Sequence, residues 1–260
     1  MKVSIVIPAY NKEKRIARTL EGYGSYFNEL VRKKALEYEI LVVINNTTDR
    51  TEEIVKNLAK TNKKIRYINL KKGGKGYAVI SGFQEAVKGD SDLIGFVDAD
   101  MATPPEAFNY LIKEIKGYDG AIADRRLKES IIQPEQPFKR RFAAACFNLL
   151  VRTLFLFPYK DTQCGAKLFR KDVLKQMLPK LGMSGYAFDV EMLYVFHKLG
   201  GKMKQAKTIW KDMDYSKIDL KKHSIQMFFA VFQLRIINSP LRIILRPLKP
   251  LIMILWGWVK

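Results

Sequence analysis

Two carboxylates separated by one small residue, Asp98-Ala99-Asp100, close the apolar run Leu93 to Val97. Side chains at i and i+2 of a strand share a face, so a strand ending here offers both carboxylates to one ligand. Paired hard oxygens in that position suit Mg²⁺ or Mn²⁺, which would match the charge of a diphosphate. The competing reading is turn punctuation, because acidic residues after strands are common, and the pair alone does not decide. Lys71-Lys72-Gly73-Gly74-Lys75-Gly76 lacks the spacing of a P-loop. By composition it is a flexible turn before a helix, although a lysine at a helix N-terminus also suits anionic groups. Asp189 and Glu191 stand two apart in a helix-like segment and so cannot share a face. Only one of them is expected to enter a pocket; for both, the alternative is favourable charge in a first helical turn. His197 and His223 belong to no nucleophile or metal constellation.

These residues need a frame. From Met1 to about Asp100 the sequence alternates strand-like runs (Val3 to Ile7, Glu39 to Ile44, Ile65 to Leu70, Leu93 to Val97) with helix-length segments of three- and four-residue apolar spacing. Those segments run from about Lys12 to Leu36, Asp49 to Thr61 and Gly76 to Val87. This rhythm predicts βαβ units, parallel strands and helices packed on them. Ligands of such sheets sit beyond the carboxyl ends of the strands, where Pro8 to Asn11, Asn45 to Asp49, Lys71 to Gly76 and Asp98 to Asp100 all fall. After Asp119 a strand-like Gly120 to Ala123 leads into a basic stretch, Arg125 to Arg141, and an apolar one, Phe142 to Phe157. Helix-like segments follow at about Lys171 to Leu178 and Ala187 to Leu199, and the domain is expected to end near Ser216 to Lys222.

The chain has 260 residues and a net charge of +20 from 46 Lys and Arg against 26 Asp and Glu. Such an excess calls for an anionic partner: nucleic acid, a membrane surface or a phosphorylated substrate. Cys146 and Cys164 have no metal-ligand spacing and are too few for a disulfide framework, which fits a reducing compartment.

The run Val3-Ser4-Ile5-Val6-Ile7-Pro8-Ala9-Tyr10-Asn11 resembles the opening of inverting family 2 glycosyltransferases, and Asp98-Ala99-Asp100 stands where their metal motif stands. Leu127 to Ile131, Asp161 to Phe169 and Ala187 to Tyr194 are similar, in order and spacing, to the dolichyl-phosphate β-glucosyltransferase branch. The resemblance covers about Met1 to Lys222. It implies an α/β GT-A fold with a mostly parallel sheet flanked by helices, and transfer of a hexose, with glucose favoured, to dolichyl or polyprenyl phosphate with inversion at C1. The implied donor is a nucleoside diphosphate sugar, UDP-glucose before a GDP-sugar, and the implied cofactor is Mg²⁺ or Mn²⁺ on Asp98 and Asp100. Catalytic roles are implied for Asp100, Asp189, Arg125 and Arg140. Substrate contacts are implied for Pro8, Tyr10, Asn11, Glu13, Asn45, Lys75, Gly76, Asp98, Gln163, Lys167, Glu191, Trp210, Ser216 and Lys217. Within this set Arg125, Arg140 and Lys167 would cradle the acceptor phosphate, although each reads equally as solvated charge. The sequence departs from the pattern where Ile44-Asn45 replaces a usual acidic pair and Lys12 a usual Glu, which leaves base or ribose recognition open.

The expected division is a transferase domain over 1–222 and an amphipathic, basic membrane-interface segment over 223–260. Apolar clusters in that segment are broken by Arg235, Arg242, Arg246, Lys249 and three prolines. No uncharged run reaches the roughly 20 residues that span a bilayer. Short basic and apolar segments with Trp256 and Trp258 suit an anionic membrane interface; packing on the domain is the alternative. Without a signal-peptide pattern or a span, the expected location is peripheral, on the cytoplasmic side of a membrane. A nucleic-acid module is disfavoured because no such motif is present, and a sugar nucleotidyltransferase because the glycine-rich Arg loop after the first strand is missing. A mannosyl-phosphate synthase and a catalytically altered membrane-binding relative remain as alternatives.

Overall fold

A computed structural model describes residues 1–134, 137–182, 185, 187–211 and 220–239; within these, the side chains at 139, 140, 220–225 and 237 are not described. The first half follows the expected alternation: β1 (Lys2–Ala9), α1 (Ile16–Arg32), β2 (Glu37–Asn45), α2 (Thr51–Thr61), β3 (Ile65–Leu70), α3 (Lys75–Ala86), β4 (Leu93–Val97) and α4 (Pro105–Glu114). The second half is β5 (Gly120–Ala123), β6 (Ile131–Gln133), α5 (Phe138–Phe155), β7 (Ala166–Arg170), α6 (Lys171–Met177), α7 (Phe188–Lys198), β8 (Met203–Ala206), β9 (Ile209–Lys211) and α8 (Leu220–Ile237).

The main sheet has the order β3-β2-β1-β4-β7-β5-β8, and β6 and β9 form a separate pair. Strands β1 to β4 are parallel, as expected of a chain whose β1, β2 and β4 are buried on both faces. β7 enters antiparallel between β4 and β5, pairing Val97 with Ala166. The start of β7 therefore lies at the same edge as the end of β4, which brings Cys164 and Gly165 next to Asp98. On one sheet face Ile5, Ile7, Val42 and Leu168 pack with Tyr23, Phe27 and Phe108 from α1 and α4. The other face carries Val6, Val43, Phe96 and Phe169 under Phe83 of α3 and Phe196 of α7. Gly82 makes that packing close: a Cβ there would come within 2.4 Å of Val6 Cγ1.

A third cluster joins Val151 and Phe155 of α5, Val190 and Leu193 of α7, and Val231 and Leu234 of α8. Helix α8 thus runs through the expected boundary at 222 and buries its Val231 and Leu234 in the domain. For these residues the packing agrees with the alternative of a segment docked on the domain. Positions 240–260, with Trp256 and Trp258, lie outside the described residues. Among the described residues no helix is long and apolar enough to cross a membrane.

Candidate active site

The carboxyl edge of the parallel strands carries three non-glycine residues in left-handed backbone: Asn11 (φ 48°), Asn46 (φ 51°) and Met101 (φ 62°). Asn is enriched in that region and Met is uncommon there, so the turn after Asp100 is held in part by its surroundings. Part of the hold is Asp100 itself, whose Oδ1 accepts a hydrogen bond from the Ala102 N–H at 3.0 Å. Burial and the neighbouring charge of Asp98 raise the Asp100 carboxyl above the ordinary range. Asp98 is packed against Gly165, where a Cβ would fall 2.0 Å from its Oδ2. Across the cleft Lys75, in the first turn of α3, reaches Asp98 Oδ1 at 2.5 Å. Against the desolvation that pulls it down, the carboxylates of Asp98, Asp189 and Asp100 hold the Lys75 ammonium above the lysine range. Two hard carboxylates, one of them destabilised by the other, fit a divalent cation. Among the described residues no group of three His, Cys, Asp or Glu surrounds a point. A cation held by one or two carboxylates draws its remaining oxygens from phosphate and water.

The loops after β1 and β2 are laced together by Asp49, which the sequence placed in the cleft-facing run Asn45 to Asp49 without a role of its own. Asp49 accepts hydrogen bonds from Thr47 Oγ1 (2.8 Å), Thr51 Oγ1 (2.5 Å), Thr51 N (3.0 Å) and Glu13 N (3.0 Å). Partial burial works against the charge, but these donors outweigh it and lower the carboxyl to about 2. Asn11 Oδ1 accepts from Thr47 Oγ1 at 2.9 Å and from Thr48 N at 2.9 Å, and Glu13 Oε2 accepts from Arg50 N at 3.2 Å. Asn11 and Glu13 therefore shape the rim. Tyr10 stands exposed above it, Pro8 is buried in β1, and Gly76 is buried in the first turn of α3. Asn45, at the end of β2, is buried with its Oδ1 lacking a partner.

Asp189 and Glu191 divide as the helical spacing requires. Asp189 Oδ1 accepts from Lys167 Nζ at 2.5 Å, while both Glu191 oxygens accept from Gly182 N at 3.1 Å. Lys167, expected to cradle an acceptor phosphate, has no exposed surface. Its ammonium also donates to the Cys164 carbonyl at 2.8 Å. That expectation is corrected: Lys167 fixes Asp189 and the start of β7 from beneath. Cys164 beside it is buried, which pushes its thiol up to about 12. Arg125 makes a bidentate pair with Asp161, Nε at 2.7 Å and Nη2 at 2.9 Å, and lies 4.6 Å above the Trp210 ring. Despite its burial, Asp161 is kept below the usual carboxylate range by Arg125. Arg125 is thus a clamped arginine, not the solvated charge it equally resembled. Gln163 Nε2 and Trp210 Nε1 are buried without partners. The Arg140 side chain, Ser216 and Lys217 lie outside the described residues. Sequence reading missed Asp49, Asp161 and Gly165 as organisers; the turn-forming Thr-Asp and Asp-Thr pairs were the available signal for the first two.

A mostly parallel sheet bearing an acidic pair and a lysine on its carboxyl edge defines a GT-A type glycosyltransferase. Residues 4–178 match Glycosyl transferase family 2, and the chain belongs to that family. A dolichyl-phosphate β-glucosyltransferase of Dictyostelium discoideum is 32% identical over 90% of this chain and 73% of its own length. The Saccharomyces cerevisiae protein of the same name is 29% identical over 86% and 71%, and that of Homo sapiens 28% over 84% and 69%. In fold, the chain is similar to glucosyl-3-phosphoglycerate synthase from Mycobacterium tuberculosis, whose crystal structure is a complex with Mn²⁺, UDP and glucosyl-3-phosphoglycerate. The TM-score is 0.67 at 19% identity, covering 92% of this chain and 81% of that one.

Proposed function

We propose that this protein transfers glucose from UDP-glucose to dolichyl or another polyprenyl phosphate, with inversion at C1, at the cytoplasmic face of a membrane. The observation that carries the reading is the acidic pair with Lys75 at the sheet edge of a chain most similar, among those named above, to a dolichyl-phosphate glucosyltransferase. In the reaction a phosphate oxygen of the acceptor attacks C1, the bond from C1 to the UDP oxygen breaks, and UDP leaves with that electron pair. A phosphomonoester carries about −1.5 to −2 charge near neutral pH, so the nucleophile needs little deprotonation and no strong base. The site's work is neutralisation and orientation.

Asp98 and Asp100 would hold Mg²⁺ or Mn²⁺, which when bound supplies charge stabilisation to the departing diphosphate. Lys75 adds a positive charge beside the same group. Asp189, fixed by Lys167, orients the reacting sugar or acceptor from below. Arg125 and Arg140 serve the incoming phosphate, with Arg125 preset by Asp161. Asn45 offers an unpartnered carbonyl oxygen to a donor on the nucleotide base, since its amide provides both donor and acceptor. The membrane reading is supported by α5, where Phe138, Phe142 and Leu149 are all exposed at four- and seven-residue spacing, beside Arg141.

Incubating the protein with labelled UDP-glucose or GDP-mannose, Mn²⁺ or Mg²⁺ and dolichyl phosphate tests the assignment. The expected product is β-linked dolichyl-phosphate glucose. Transfer from GDP-mannose alone would replace the glucosyl reading with the mannosyl one.

A further inference from the structure

Lys75 lies where the bound cation would need its ligand. Its Nζ is 2.5 Å from Asp98 Oδ1 and is flanked by the rings of Phe96 at 6.0 Å and Phe188 at 5.8 Å. The side chain remains 44% exposed and Asp98 24% exposed, so the pair faces the open cleft. Gly73 and Gly74 precede it, and Gly74 takes φ 131°, a conformation closed to other residues. Lysine is a compact charge on a flexible four-carbon stem that meets phosphate as a point charge. The same ammonium therefore has two mutually exclusive counterions within reach: Asp98 and the diphosphate of a bound donor.

We propose that Lys75 is a tethered countercation that occupies Asp98 in the nucleotide-free protein and hands it over when a nucleoside diphosphate binds. This rests on the reading that Asp98 and Asp100 hold a divalent cation. Without nucleotide the ammonium competes with that cation for Asp98. An arriving diphosphate takes the ammonium, Asp98 is released, and the site gains affinity for the cation as the nucleotide docks. Cation and nucleotide binding are then coupled through the protein as well as through their own attraction, and linkage makes the coupling reciprocal.

The sign of the effect distinguishes this from a simple phosphate contact. Mn²⁺ affinity of the nucleotide-free full-length protein, read by the electron paramagnetic resonance signal of free Mn²⁺, is expected to rise roughly three- to tenfold in Lys75→Met and Lys75→Gln. UDP binding at saturating Mn²⁺ is expected to weaken in both, so the coupling between the ligands shrinks. Lys75→Arg retains a positive charge within reach of Asp98 and should gain less Mn²⁺ affinity than Lys75→Met and Lys75→Gln do. Lys12→Met removes a lysine whose charge acts on Asp100 through space, and should change Mn²⁺ affinity less than the Lys75 variants do. Unchanged or weaker Mn²⁺ binding in folded Lys75→Met and Lys75→Gln overturns the inference while leaving the metal reading intact. An equal gain in Lys12→Met also overturns it, since the effect would then be diffuse charge. If no form binds Mn²⁺ even with UDP present, the metal reading fails and the inference falls with it.

Discussion

Lys167 and Asp189 form an ion pair whose lysine has no exposed surface and whose aspartate is nearly as buried. Breaking such a pair from one side leaves an uncompensated buried charge, which typically costs about 3–5 kcal/mol. Lys167→Met is therefore expected to lower unfolding free energy by roughly that amount in urea titrations. Lys167→Met combined with Asp189→Asn should regain much of it without regaining turnover; a double variant no more stable than the single would refute the pair's role. Asp49 gives a pH-dependent test. Its folded pKa of about 2 lies below the unfolded carboxylate value of about 3.9. A lowered pKa means stability that is fully present above the unfolded value and is lost as pH falls through the folded one. Asp49→Asn should accordingly cost roughly 1–2 kcal/mol, after allowance for solvent screening, from pH 5 to 7. The gap to the parent protein should close as pH falls toward 2. The acidic pair was legible only in context: its spacing alone reads equally as turn punctuation, and the alternation of strands and helices is what sets it on the carboxyl edge of β4. The burial of Lys167 was not, because lysines are almost always exposed and its partner is twenty-two positions away.

At the scale of elements, β1 to β4 were legible because each is an apolar run separated from the next by a helix with its own period. Strand β7 was not: Ala166 to Arg170 is a short run whose position depends on pairing with β4 and β5, far away in the chain. Its antiparallel insertion explains Gly165. Reversing direction brings the start of β7 against the end of β4, and the Asp98 carboxylate occupies the space a side chain would fill. Gly165→Ala would place Cβ 2.0 Å from Asp98 Oδ2 and must displace that carboxylate. A misplacement of about 1 Å costs on the order of a hundredfold in rate. Gly165→Ala is thus expected to lose about that much glucosyl transfer and to bind Mn²⁺ more weakly. Its melting temperature should change less than its turnover, because Asp98 is partly exposed at the cleft and not part of the apolar core. Undiminished turnover would remove Asp98 from the set of required residues. α8 shows the same limit of sequence reading: an apolar, basic segment suits a membrane or a helical partner equally until Val231 and Leu234 are seen buried against α5 and α7.

Taken as a whole, the molecule combines a net charge of +20 with a helical flank that keeps large apolar side chains in water. Phe138 and Phe142 on α5 are 77% and 61% exposed, Leu156 just past its end is 82% exposed, and Phe228 and Phe229 of α8 are about two-fifths exposed. The ring centroids of Phe138 and Phe142 lie 6.2 Å apart, so the two form one stacked apolar unit at the start of the helix. On the proposed membrane reading an anionic bilayer would answer both features, with roughly 1 kcal/mol per surface-near Lys or Arg added to the transfer of apolar area. Vesicles containing phosphatidylserine are expected to float the full-length protein, and 0.5 M salt to release part of it as the Debye length contracts from about 10 Å toward 3 Å. Replacing Phe138 and Phe142 by Ser should lower the vesicle-bound fraction at every salt concentration, because the apolar term is not screened. The same variant should transfer glucose to a short, water-soluble prenyl phosphate at the parent rate, while its transfer to dolichyl phosphate in vesicles falls. Ending the chain at residue 222 is a different perturbation: it uncovers the surface that Val231 and Leu234 occupy, worth about 1.5–3 kcal/mol for each side chain, and so should destabilise the domain. A Phe138→Ser, Phe142→Ser protein that stays bound to vesicles and keeps its membrane activity would rule out this face of α5 as the contact with lipid.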